Sequence, residues 1–125
     1  MSEKVKNGQR AVARILAIGN ELLNGAISDT NTATIARFLE QRGIALERSA
    51  LVRDVEGEIL DELALSARGA DLLITTGGLG PTSDDLTRSV ISTFAGSPLK
   101  EDLTARAKLE ALFAARKRPM NETNL

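Results

Sequence analysis

"LLITTGGLGPTSDDLTRSV", residues 72–90, carries the sequence from an apolar β-branched run into three glycines within four positions, then a proline and two adjacent aspartates. Together with Asp71, the opening "DLLITT" is the clearest buried strand in the chain: a short continuous apolar run bounded by turn residues suits a strand covered on both faces. Gly77, Gly78 and Gly80 then break it. Beyond them Leu86, Val90, Ile91 and Phe94 recur at helical spacing, and Gly96 and Pro98 close that helix. The stretch therefore reads as strand, bare loop, helix, which is half of a βαβ unit.

Working outward, the same alternation repeats. Residues 1–10 read as a polar tail, and the domain is expected from 11 to 125. "AVARILAIG" from Ala11 is a second covered strand ending at Gly19, and "NELLNGAISDTN" reads as a loop. A helix follows in which Ile35, Phe38 and Leu39 share a face; Asp29 or Asn31 can cap its start and Gly43 its end. "IALERSALV" is a further strand. Asp54 is placed to cap a helix with Ile59, Leu60, Leu63, Ala64 and Ala67 on one face and Gly69 as its stop. Residues 101–118 are expected to form a last helix around Leu109, Leu112 and Phe113, with Arg116, Lys117 and Arg118 at its solvated end and Pro119 forbidding continuation. The Phe residues are expected in the core. Strands alternating with helices at this spacing predict right-handed crossovers and an α/β fold whose mainly parallel sheet is sandwiched between helices. Three strands are few for such a sheet, so the domain is expected to continue past Leu125.

Composition narrows the chemistry. The 125 residues, 42% of them hydrophobic, are enough for one packed core, and 16 basic against 17 acidic residues leave a net charge of -1. No sequence-wide field draws the protein onto nucleic acid or an anionic membrane. With three Phe and no Tyr or Trp, a base-stacking platform is not expected. Cys and His are both absent, which removes thiol nucleophiles, Ser-His-Asp triads, zinc fingers and imidazole catalysis. Any reaction must use carboxylates, hydroxyls, Lys or Arg, backbone N–H groups or a bound metal. The polar start "MSEKVKNGQR" is unlike an export signal, and no run of about 18 apolar residues appears, so a cytoplasmic location is expected.

In an open parallel sheet, ligands bind outside the carboxyl ends of the strands. The loops expected there are rich in unusual residues: Asn20, Glu21, Asp29 and Asn31 after one strand, Asp54 after another, and Thr76, Gly77, Gly78, Gly80, Thr82, Ser83, Asp84 and Asp85 after the third. Bare glycines allow positive φ and close approach, and a following helix start offers free N–H groups, so an anion such as phosphate is a natural guest. The pattern is neither a dinucleotide G-x-G-x-x-G, because position 83 is Ser, nor a Walker loop, because no G-K-[ST] follows. A plain strand-to-helix turn explains the glycines equally well. Ser83 or an aspartate can cap the helix, Asp54 can be a helix cap, Glu21 a solvated acid, and Asp29 part of an Asx-turn. A phosphate on that loop would repel Asp84 and Asp85 unless a divalent cation lay between them, and Mg²⁺ binds through one or two carboxylates plus substrate phosphates.

Three separated motifs, "ILAIGNELLNGAISDTNTATIARFLEQRGI", "LVRDVEGEI" and "TTGGLGPTSDDLT", together resemble the N-terminal domain of the competence-damage-inducible CinA proteins, within the molybdopterin-binding group of MoaB, Mog and gephyrin-type domains. The resemblance runs from about residue 12 to the end of the chain. It implies a three-layer α/β sandwich of the MoaB/Mog type, and homo-oligomers, trimeric in the Mog branch and dimeric in CinA. Molybdopterin-branch aspartates that support adenylylation or metal-dependent handling of the adenylylated pterin fall on Asp54 and Asp85. The CinA branch is associated with metal-dependent hydrolysis of ADP-ribose-type pyrophosphates, and Glu21, Asp29 and Asn31 fall in its first motif. The implied ligands are therefore a nucleotide or pterin phosphate, molybdopterin included, with a divalent metal such as Mg²⁺, Mn²⁺ or Co²⁺ on Asp85, Asp84 and Asp54. Leu79 stands where molybdopterin-handling members carry Thr, which favours the CinA branch. The family continues beyond Leu125 with a further strand and a proline-rich loop that contribute to the site.

Overall fold

The computed structural model describes residues 10–78 and 84–116, and for Asp84 and Asp85 the backbone alone. The elements are β1 (Val12–Ile18), α1 (Asn20–Leu23), α2 (Thr30–Gln41), β2 (Ala45–Val52), α3 (Glu56–Ala67), β3 (Leu72–Gly77), α4 (Asp84–Ala95) and α5 (Leu103–Ala115). Residues 1–9 of the expected tail, Ser83, and Lys117 to Pro119 at the expected helix end lie outside the described residues.

Among the described residues the sheet has the order β2-β1-β3, and both pairings are parallel. From β1 the chain steps to β2 on one side, then crosses back past β1 to reach β3. Right-handed crossovers in opposite directions put α2 on one face of the sheet and α3 on the other, which makes the three layers.

β1 is the centre of the molecule because its sequence has almost nothing polar to expose: Ala13, Ile15, Leu16, Ala17 and Ile18 are all buried. Leu16 and Ile18 face Ile59 and Leu63 of α3 and Val90 of α4, with Leu60, Leu73, Leu86 and Ile91 packed around them. Fully burying side chains such as Ile59 and Leu63 contributes about 1.5–3 kcal/mol each. On the opposite side α2 lies against β2 and buries Leu39.

The amino edge of the sheet is tied down by side chains. Arg14, on β1, donates to the carbonyls of Leu65 and Ser66 in the last turn of α3 and of Arg68 just past it, and also pairs with Glu47 on β2. A helix end leaves such carbonyls without intrahelical partners, so one guanidinium both caps α3 and fastens it to the sheet. Nearby, the buried Ser66 hydroxyl donates to Glu62, which also holds Arg48. Asp71 accepts the Val12 N–H at 2.7 Å and returns its own N–H to the Val12 carbonyl at 2.9 Å.

Three expectations are corrected. The residues 20–23 expected in a loop form a helical turn, closed by Asn24 N–H onto the Asn20 carbonyl at 3.0 Å. Phe38 and Phe94 are 52% and 41% exposed rather than in the core. Phe38 sits on the outer side of α2, where the Arg42 guanidinium lies 3.4 Å from the ring centroid, a cation–π contact that lets an aromatic ring face outward. Finally, α5 is shorter than the expected 101–118 and buries none of its residues, so Leu112 does not act as a core anchor.

Candidate functional site

The strands end in register: Ile18 of β1 stands opposite Val52 of β2 and Gly77 of β3. Neighbouring strands are about 4.8 Å apart, so the loops that leave them are gathered within about 10 Å laterally. The chain reverses its direction of travel between β1 and β3, and in open α/β sheets the crevice at such a switch point is where ligands bind. The sequence puts Gly19 and Asn20 on one side of that crevice and Gly77 and Gly78 on the other.

The two described glycines of the loop are required by their geometry. Gly77 has φ 82°, and a Cβ there would lie 2.3 Å from the Ile18 carbonyl oxygen; Gly78 has φ 67°, and its Cβ would lie 2.4 Å from Thr87 Oγ1. Both positions are left-handed and neither has space for a side chain. The loop backbone therefore rests directly on the end of β1 and on the second turn of α4. Thr87 was not singled out by the sequence. It is buried, and its hydroxyl has no hydrogen-bond partner among the described residues.

Asp54 follows β2 at the same edge. Its N–H donates to Asn20 Oδ1 at 3.1 Å, which fastens the loop after β2 to the loop after β1. The expected capping role is corrected: Val55, in an extended conformation, is the N-cap of α3, and no side chain caps that helix. Asp54 Oδ1 is instead buried without a hydrogen-bond partner among the described residues. Its neighbour Arg53 does not relieve it. The Arg53 guanidinium is turned onto Glu58, with Nε 3.0 Å from Oε1 and 3.1 Å from Oε2. Their shared hydrogen bond, more than simple attraction, raises the Arg53 guanidinium and lowers the Glu58 carboxyl from their ordinary values.

The remaining candidates divide. Asn31 Nδ2 donates to Thr76 Oγ1 at 3.1 Å, joining the start of α2 to the end of β3 and completing a rim around the carboxyl edge. Asp29 is the N-cap of α2, accepting from the Thr32 N–H at 3.2 Å and the Thr32 hydroxyl at 2.6 Å, so the local Asx arrangement occupies it. Glu21, in α1, folds back over Gly19, where a Cβ would meet its Oε1 at 2.7 Å. The backbone of Asp84 and Asp85 opens α4; Gly80 and Thr82 lie outside the described residues. Asn20 gains its importance only from the fold, the one legible signal being its position just past a strand-ending glycine.

Among the described residues no three acids gather to form a metal cage. Asp54 alone among the described acids offers a buried oxygen with no partner among the described residues, a kind of donor that suits a hard cation completed by ligand phosphates. A separate hollow of about 240 Å³ runs beside α4 and α5, lined by Arg88, Lys100, Glu101, Asp102 and Arg106. There Arg106 is held by Glu101 and Glu110, so acids already answer its cation.

A parallel α/β sheet in the order β2-β1-β3, with left-handed glycines closing β3 against the end of β1, defines the class of domain. The chain belongs to the family described as "Probable molybdopterin binding domain", whose model matches residues 14–122. It is 44% identical over 113 residues to the CinA-like protein of Deinococcus radiodurans, covering 90% of this chain and 28% of that one. It is 43% identical over 112 residues to the CinA-like protein of Fusobacterium nucleatum, covering 90% and 28%. The crystal structure of the protein CinA with unknown function from Thermoplasma acidophilum superposes with a TM-score of 0.73 at 29% identity, covering 91% of this chain and 66% of that chain. The chain thus spans little more than a quarter of the length of these curated relatives. No helix among the described residues is long and apolar enough to cross a membrane.

Proposed function

We propose that the carboxyl edge of the sheet binds the diphosphate of a nucleotide or pterin ligand together with a divalent cation, and that the domain hydrolyses ADP-ribose-like substrates. The observation that carries this reading is the buried Asp54 oxygen, unpartnered among the described residues, at the same carboxyl edge of the sheet as Gly77 and Gly78. A buried acceptor left unsatisfied costs about 1–3 kcal/mol, more when charged, and native structures rarely keep one without a use.

In this reading the amides of the glycine loop and the opening turn of α4 hold the diphosphate oxygens, and the Asn31–Thr76 pair closes the rim. Asp54, with Asp85 or Asp84, holds the cation. When bound, a divalent cation supplies charge neutralisation at the diphosphate and a more acidic water. With no histidine in the chain, a carboxylate receives the proton as water adds to phosphorus and the diphosphate bridge breaks, giving AMP and ribose 5-phosphate. Action in the cytoplasm and self-association into dimers or trimers belong to the same proposal; light scattering measures the latter.

A second reading, molybdopterin binding or adenylylation, is favoured by the description of the family. It needs the same parts. A binding module without turnover is the third. One experiment separates them: the protein is incubated with ADP-ribose and Mg²⁺, Mn²⁺ or Co²⁺, and AMP release is followed for the wild type, Asp54→Asn and Asp85→Asn. Metal-dependent release that falls about 100-fold or more in either variant is the expected result. Thermal stabilisation by ADP-ribose without AMP release would move the assignment to a binding module. Preference for adenylylated molybdopterin would move it to the second reading.

A further inference from the structure

We propose that Glu58 is a positioning residue: by holding the Arg53 guanidinium on α3, it keeps the Asp54 carboxylate open for a divalent cation. This rests on the reading of Asp54 given above. Arg53 is the basic residue next to Asp54 in sequence, and a guanidinium beside a buried carboxylate oxygen ordinarily pairs with it, since charge-assisted forks are among the strongest polar contacts. Here that pairing is not made. Arg53 lays both Nε and Nη2 on Glu58 in the first turn of α3, and Asp54 Oδ1 stays buried and unpartnered among the described residues. Asn20 meanwhile holds the Asp54 backbone from the other side. Of the two acids, Glu58 is paired with Arg53 and Asp54, its neighbour in sequence, is not.

Stability alone gives no reason for this choice. Arg53 and Glu58 are 59% and 37% exposed, and ion pairs that wet contribute little to folding. The helix gains nothing unique from Glu58 either, because Glu56 already puts an acid in the first turn. What the pair does achieve is to remove the competing cation from the buried carboxylate.

The test is Mn²⁺ binding, read from the electron paramagnetic resonance signal of free Mn²⁺ with the protein in titration and no turnover involved. Unchanged circular dichroism spectra establish that each variant is folded, which the exposure of both residues favours. Glu58→Gln releases Arg53 and is expected to weaken Mn²⁺ binding about tenfold. Adding Arg53→Ala to Glu58→Gln is expected to restore wild-type affinity, a rescue that a merely structural role for the pair does not produce. If Asp54→Asn weakens binding while Glu58→Gln binds as tightly as wild type, or if the double variant stays as weak as Glu58→Gln, the proposal is overturned and the site reading survives. If wild type and Asp54→Asn bind Mn²⁺ equally, the site reading itself fails and takes this proposal with it.

Discussion

At the amino edge of the sheet one arginine takes three carbonyls at and just past the end of α3 and a carboxylate, Ser66 finds Glu62, and Asp71 exchanges two hydrogen bonds with Val12. At the carboxyl edge Asp54 Oδ1 and Thr87 Oγ1 are buried with no partner among the described residues, and two left-handed glycines hold the loop floor. The same three strands thus end in two kinds of chemistry. One edge uses its polar groups to hold the fold together; the other does the same with Asn20, Asp29 and Asn31 but leaves Asp54 Oδ1 and Thr87 Oγ1 open at a cost the fold must carry. Under the function proposed above, the open Asp54 oxygen at this edge has a use.

Three substitutions try that contrast. Gly77→Ala forces a Cβ onto the Ile18 carbonyl in a left-handed backbone, and chemical denaturation should show a loss of about 3 kcal/mol. An unchanged midpoint would mean that the loop floor yields and the carboxyl edge is softer than described. Arg14→Ala strips the carbonyls at the end of α3 and should cost about 2 kcal/mol in the same measurement. Most of that loss reflects the abandoned carbonyls, since the half-exposed Glu47 partner adds little. Thr87→Val keeps the shape of a buried side chain and deletes a hydroxyl that bonds to nothing described, so thermal unfolding should register a gain of about 1 kcal/mol. A loss there would mean that the hydroxyl has a partner after all, and the two edges would then differ less.

Much of the fold was legible because its strands are unusually plain. "AVARILAIG" has no polar residue beyond Arg14 and became the buried central strand; "DLLITT" became its neighbour β3, but it is not the covered strand expected, since none of its residues is fully buried and Leu72 is 42% exposed. The errors came where tertiary contacts overrule local chemistry. Asp54 looked like a cap because acids commonly cap helices, but Asn20 holds its backbone and the helix starts two residues later. Phe38 looked like core because aromatic rings usually are, but Arg42 stacks over it one turn on. The candidate site was legible as an edge and as a set of residue types. Its working detail was not: that Arg53 turns away from Asp54, and that Thr87 lies under Gly78, are relations across space with no trace in spacing.

The loop floor has one more effect. Gly77 and Gly78 lean on Ile18, the last residue of a strand closed off on both faces. Under the proposed function, a guest held on the Gly77 and Gly78 amides would press on the buried end of the central strand, and that part of its contact would come preformed rather than induced.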